Sequence, residues 1–316
     1  MGRRRGLLCL FLVSVALGTA AVAFAFQPVY VMASGNMGGT YYSLGGILAE
    51  TVNEKLPGVR LAVLPSGGSA ENVDLMEKGL AQFALIDSFA VMAYQGRDLY
   101  YEAPQTYLRG VVPLYPEVAR ILVPEDSDVV TLSDLAGKKV VLGKKGSGVL
   151  ITAQQILMAS GLRQDQLEPA YLGMGEGLLA LREGSVDAVI FVGPLGGGSA
   201  MEQETLKDAR IIGLDDKTRK KLMDAAPYWK EFVVPAGTFD GQTEDIKTVG
   251  AWTVLCCRED LDDDLVKRVA ETVYDNAEDI SSYIPGSVKL SPDNVDEVLI
   301  PLHDGAKNFF DGKGAL

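Results

Sequence analysis

The stretch Ala33-Ser34-Gly35-Asn36-Met37-Gly38-Gly39-Thr40-Tyr41-Tyr42-Ser43-Leu44-Gly45-Gly46 decides how this chain folds. It follows a short apolar run, Val29-Tyr30-Val31-Met32, that reads as a strand. It leads into Leu44, Ile47, Leu48 and Val52, apolar positions at helical spacing. The order is strand, glycine-rich turn, helix start. Such a turn leaves backbone N–H groups without intrahelical partners, aimed at one spot, with the positive end of the helix dipole behind them. That arrangement binds carboxylates or phosphates. The glycine spacing matches neither a Gly-Lys-Ser/Thr phosphate loop nor G-x-G-x-x-G. Taken alone, the stretch reads equally well as a tight turn with no ligand.

The same device recurs along the chain. Leu61-Ala62-Val63-Leu64 reads as a second strand, followed by Pro65-Ser66-Gly67-Gly68-Ser69-Ala70-Glu71-Asn72. Ser69 suits a helix N-cap, with Asn72 three residues on, and the helix stops at Gly79. Phe83-Ala84-Leu85-Ile86 is wholly apolar, as in a parallel sheet, and Asp87-Ser88 follows directly. Three strand ends thus carry small, polar turns that open helices. In an open α/β sheet those ends line one crevice, where ligands bind.

Gly110–Tyr115 and Ala119–Val123 lie close together and read as a crossing into a second lobe. There Val140-Val141-Leu142 runs into Gly143-Lys144-Lys145-Gly146-Ser147-Gly148 and a helix carrying Val149, Ala153, Ile156 and Leu157. This repeats the opening device, with lysines beside the N–H groups; a plain turn with solvated lysines is the alternative. Ala170-Tyr171-Leu172, a helix to Arg182 and the strand Asp187–Val192 continue the alternation. The loop Gly193-Pro194-Leu195-Gly196-Gly197-Gly198-Ser199 reads either as a wall of the crevice or as a hinge-side loop. Residues near 210–216 read as the return crossing.

Composition narrows the function classes. The chain has 316 residues, 47% of them hydrophobic, long enough for two lobes. A net charge of −13 argues against nucleic acid or an anionic membrane as partner. Arg3, Arg4 and Arg5, the apolar run Leu7–Phe26 and the small residues around Ala23-Phe24-Ala25 read as a secretory signal peptide over residues 1–26, with an uncleaved anchor as the alternative. The mature chain is then exported and soluble, with no direct lipid binding. After cleavage only Cys256 and Cys257 remain, and adjacent cysteines bridge each other rarely. Asp262-Asp263-Asp264 lacks the alternation of a calcium loop and suits a helix start. His303 is the one histidine, and it reads as structural. No metal cluster, cofactor loop or nucleophile elbow is legible, which favours a binder over an enzyme.

Several motifs in order resemble one family: Gly38-Gly39-Thr40-Tyr41-Tyr42, Gly68-Ser69-Ala70-Glu71-Asn72, Leu85-Ile86-Asp87-Ser88, Asp134–Val140, Gly143 with Gly146-Ser147-Gly148, Asp187-Ala188, Pro235–Phe239 with Thr248-Val249-Gly250, and His303–Ala306. From about residue 30 to 310 the chain resembles the TAXI-type solute receptors of tripartite ATP-independent periplasmic (TRAP) transporters. It departs at Phe239 and Asp304, where the family often has Tyr and Pro, and in the Gly196–Gly198 run. The resemblance implies an α/β fold of two lobes, each a mainly parallel sheet flanked by helices, as in periplasmic binding proteins. Residues 27–116 would form the first part of lobe 1, 117–212 lobe 2, and 213–316 the rest of lobe 1. A periplasmic receptor would pass a small carboxylate, such as glutamate, glutamine or a related dicarboxylate, to an ion-driven TRAP permease of two integral subunits. Sensing for a membrane signalling partner, or an enzyme on this scaffold, are the alternatives. Carried onto matching positions, the ligand-facing residues would be Gly39, Thr40, Tyr41, Ser69, Asn72, Asp87, Ser88, Gly146, Ser147 and Gly148.

Overall fold

The computed structural model describes residues 28–87, 89–96, 103–194, 200–284 and 289–316. The expected signal peptide, Ser88 and the Gly196–Gly198 run lie outside the described residues. The first half alternates strand and helix: β1 (Val29–Ala33), α1 (Thr40–Lys55), β2 (Arg60–Leu64), α2 (Ser69–Glu77), β3 (Phe83–Ile86) and α3 (Phe89–Gln95). A long strand β4 (Leu108–Pro124) leads to β5 (Lys139–Val141), α4 (Gly148–Ser160), β6 (Glu168–Ala170), α5 (Met174–Arg182) and β7 (Ala188–Pro194). Then come α6 (Ala200–Thr205), β8 (Ala209–Ile212), α7 (Asp216–Ala225), β9 (Lys230–Val234) and a second long strand, β10 (Ile246–Arg258). Helices α8 (Asp263–Asp275), α9 (Ala277–Ser282) and α10 (Asp304–Lys313) close the chain.

The ten strands among the described residues join one hydrogen-bonded array, ordered β2-β1-β3-β10-β4-β7-β5-β6, with β8 on β4 and β9 on β10. At one end β1 runs parallel to β2 and β3; at the other β5 runs parallel to β6 and β7. Strands β4 and β10 run antiparallel to each other and carry the chain between the two ends. The first part of β4 pairs with β10 and, at Gly110, bridges Leu302, and from Glu117 onward β4 also pairs with β7. The C-terminal half of β10 pairs with β3, its N-terminal half with β9. This is the two-lobed fold expected from the alternation.

Two local expectations change. The runs at 110–115 and 119–123 are one strand, although Pro113 and Pro116 lack the N–H that a central strand donates. The ladder steps register there: Thr253 faces Tyr115 while Val254 faces Pro113, and Leu255 faces Val112 while Cys256 faces Gly110. Such irregularities absorb residues that cannot pair and add local twist. The segment after residue 212, read as returning to the first lobe, packs on the second: α7 lies on α4, β9 extends the sheet at Ile246–Gly250, and Thr248 Oγ1 donates to the Ala119 carbonyl at 2.7 Å. The long β10 crosses the molecule, so the chain has no reason to return earlier.

The caps agree with the residue types. Asp262 accepts the Leu265 N–H at 2.9 Å, so the acidic run opens α8. His303 caps α10, its Nδ1 accepting from Gly305 N–H. Cys256 and Cys257 are buried free thiols on β10.

Asn72 ties the first sheet together at its C-terminal edge. It is wholly buried, and its Nδ2 donates to the carbonyls of Ser34 and Leu85, both at 2.7 Å. Its Oδ1 accepts from Ser66 Oγ at 2.5 Å. One side chain thus bridges the turns after β1 and β2 and the end of β3. Asn72→Ala would leave two buried carbonyls without these donors and is expected to lower the unfolding free energy by roughly 2–4 kcal/mol. Urea denaturation measures this; a loss below about 1 kcal/mol would contradict the assignment.

Candidate ligand-binding site

The turns after β1, β2, β3, β5 and β6, with residues 189–192 of β7, converge on one cavity of about 520 Å³. It lies at the C-terminal ends of the parallel strands of both lobes, where open α/β sheets place ligands. Residues 35–41, 67–69 and Asp87 line it from the first lobe; 143–144, 147–149, 172–176 and 189–192 line it from the second. Glu117, on the strand joining the lobes, forms part of its floor.

Four helices present their N-termini at this wall: α1, α2, α4 and α5. No side chain caps α1, whose N-cap is Gly39, nor α2, whose N-cap is Gly68. Gly68 has φ +117°, a conformation that side chains rarely adopt. A capping side chain would occupy the place where an anion can bind the first-turn amides. Lys144 adds positive charge at the rim, its Nζ 3.3 Å from Asn36 Oδ1 across the mouth. Val141, Val149, Met174, Val189 and Phe191 make an apolar side. Behind Phe191 the Arg120 guanidinium lies 4.6 Å from the ring centroid. Arg120 is wholly buried, bound to Glu202 at 3.0 Å and to the Pro194 carbonyl at 2.7 Å, which fixes the back of that wall.

The floor is acidic. Asp87 and Glu117 are 6% and 7% exposed. Phe89 N–H donates to Asp87 Oδ1 at 2.9 Å, and Tyr115 OH donates to Glu117 Oε1 at 2.9 Å. The Tyr41 and Thr253 hydroxyls bond to each other at 3.1 Å. Burial pushes the Glu117 carboxyl up to about 8, with the Asp87 charge adding to the rise. Burial raises Asp87 as well, and holds the Tyr41 and Tyr115 phenols well above their ordinary value.

The lobes touch across the cavity. Glu71 N–H donates to the Gly146 carbonyl at 3.3 Å. A Cβ on Gly148 would stand 2.2 Å from Asp87 Oδ2, so only glycine allows this approach of α4 to the end of β3.

Of the residues expected to face a ligand, Gly39, Thr40, Tyr41, Ser69, Asp87, Ser147 and Gly148 line the cavity. Asn72 does not line it; its amide holds the sheet edge. Gly146 stands behind the wall as the acceptor for Glu71. The Ser147 hydroxyl accepts from Leu150 N–H and donates to the Lys144 carbonyl, so it caps α4. Ser69 Oγ accepts the Asp87 N–H. Sequence reasoning missed the turn Leu172-Gly173-Met174-Gly175-Glu176, although it too is a glycine turn between strand and helix. It also missed Glu117, whose signal is one acid inside a long buried strand. Among the described residues no group of three or more His, Cys, Asp or Glu could hold a metal ion.

The Glu117 carboxyl is pushed above its ordinary 4.5, so the folded state retains its proton. The stability carried by the neutral form is complete below about 4.5 and is lost as pH rises toward about 8. The difference in unfolding free energy between the unliganded protein and Glu117→Gln should therefore shift in favour of the variant from pH 5 to pH 8. Urea titrations at about these two pH values measure it, and a constant difference would contradict the burial of this acid.

The site can be set beside known proteins. A protein of Escherichia coli (strain K12) named as an aliphatic sulfonates-binding protein is 31% identical over 121 residues, 38% of this chain and 37% of that protein. The alkanesulfonate-binding protein SsuA from Xanthomonas axonopodis pv. citri, solved bound to MOPS, superposes with a TM-score of 0.50 at 16% identity, covering 91% of this chain and 85% of that one. A Xanthomonas citri protein solved bound to ATP gives a TM-score of 0.55 at 12% identity, covering 90% and 98%. At such identities the structural likeness shows the fold alone, that of two-lobed periplasmic binding proteins. Matched by the model of that family from residue 32 to residue 314, the chain belongs to the NMT1-like family.

Proposed function

We propose that this protein is an extracytoplasmic solute receptor that closes its lobes on a small carboxylate and passes it to a membrane permease. The observation that carries the reading is the convergence of glycine-rich helix starts from both lobes, uncapped by side chains on α1 and α2, on one cavity. An anion there gains amide donors from both halves only when they are closed, so binding favours the closed state. The names of the E. coli relative and of SsuA, both binding proteins, support a receptor over an enzyme. The TAXI-like order of motifs favours delivery to an ion-driven TRAP permease. A second reading, a sulfonate head group, is favoured by what those two proteins are named for binding. Carboxylate and sulfonate share the chemistry the amides recognise, and they differ in the number of oxygens presented.

A thermal-shift panel of succinate, glutarate, L-glutamate, L-glutamine, ethanesulfonate and taurine separates the readings. At least one carboxylate is expected to raise Tm, the rise growing with the logarithm of excess ligand. A rise with sulfonates alone would transfer the site to the second reading. No rise with any of them would contradict both.

Gly148→Ala isolates closure from folding. The added methyl meets the Asp87 carboxylate only when the lobes are together. The variant is expected to fold, to lose about tenfold or more in affinity, and to lose the ligand-induced drop in radius of gyration seen by small-angle scattering. Unchanged affinity and compaction would contradict closure through this contact.

A further inference from the structure

The cavity has two chemically opposite ends. Its walls supply amide donors from helix starts, suited to an anionic head. Its floor supplies Asp87 and Glu117, from the end of β3 and the middle of β4. Both carboxyls receive hydrogen bonds, from the Phe89 N–H and the Tyr115 hydroxyl. Those bonds suit carboxylates acting as acceptors.

What the floor lacks is a cation. Among the described residues no lysine, arginine or histidine forms an ion pair with either carboxyl; Arg120 pairs with Glu202 and the Pro194 carbonyl, and its charge offsets the burial of Glu117 only in part. Tyr41, from α1, is bonded to Thr253, from β10, and neither carries a positive charge. Lys144 is at the rim, beside Asn36. Across from Asp87 Oδ2 stands Gly148, which has no side chain to pair with it. Burial and the neighbouring acid outweigh the pull of the Arg120 charge on Glu117, so the two acids hold protons, or await a cation that arrives from outside.

We propose that the floor is an ammonium subsite in which Glu117, beside Asp87, determines specificity, so that the receptor selects zwitterions carrying an amine over anions of the same length without one. This deepens the receptor reading and rests on it. When the amine enters as an ammonium group, the carboxyl pair gives up a proton to solvent and faces the ligand ionised. Capture is then accompanied by proton release. An anion lacking the amine leaves the pair protonated and releases none.

The test is calorimetric titration of the intact protein at pH 7 with L-glutamate and with glutarate, the same five-carbon diacid without the amine. Repetition in buffers of different ionisation enthalpy reads out proton release. L-glutamate should bind about tenfold or more tighter than glutarate, with proton release for glutamate alone. In Glu117→Gln, and separately in Asp87→Asn, the glutamate-to-glutarate affinity ratio should fall by about tenfold, with the released proton reduced. Glutarate binding as tightly as glutamate to the unaltered protein, or glutamate binding without proton release, would overturn the proposal whatever the variants do. If neither diacid binds while taurine and ethanesulfonate do, the carboxylate reading of the head group fails, and the amine subsite is judged on that pair by the same criteria. If none of the four binds, both readings fall.

Discussion

A helix that starts directly after a parallel strand leaves its first amides without intrahelical partners, and it points them past the end of the sheet. The rest of the structure follows from repeating this unit on two sheets whose strand ends face each other. In each lobe the parallel strands send their turns to the same edge. Strands β4 and β10, long enough to belong to both sheets, bring those edges together. The cavity is therefore a consequence of topology, and the side chains adjust its chemistry. Glycine at 39, 68 and 148 keeps the amides open and the lobes close; acids at 87 and 117 make the floor unlike the walls.

The joining strands also explain how such a molecule can move without breaking its core. Register steps and two prolines interrupt the β4–β10 ladder between Gly110 and Pro116, within the first lobe and close to where β4 takes up β7 at Glu117. Regular pairing continues on either side. A buried hydrophobic cluster runs from Val73 and Phe89 in the first lobe to Ile156 and Leu222 in the second, so the lobes are joined by packing as well as by backbone. The contacts across the cavity are lighter: one backbone hydrogen bond at 3.3 Å, one lysine reaching an asparagine, and the close approach at Gly148. Contacts of this kind are few enough to open and specific enough to register a closed state.

Much of this was legible in the sequence, because strand, glycine turn and amphipathic helix each leave a local pattern. The turns after Ala33, Leu64, Ile86 and Val141 all reach the cavity, and seven of the ten residues expected at the ligand line it. What was not legible depends on the third dimension. Asn72 has the spacing of a capping residue, but its neighbours in space are the carbonyls of Ser34 and Leu85, which no local window contains. Ser147 reads as a ligand hydroxyl, while its own helix takes up that hydroxyl as a cap. Glu117 carries no local signal beyond its charge, since its importance comes largely from Asp87 and Thr253, which are distant from it in the chain. The segment 213–250 reads as part of the first lobe, while its contacts with α4 and β4 come from pairings that no local window contains.

The central claim is that amides from both lobes hold one anionic group. A crystal structure of the protein grown with a stabilising carboxylate tests it most directly. The account predicts carboxylate oxygens within hydrogen-bond distance of first-turn N–H groups of α1 or α2 and, in the same molecule, of α4 or α5. A ligand bound through one lobe alone, or seated outside the cavity, would contradict it.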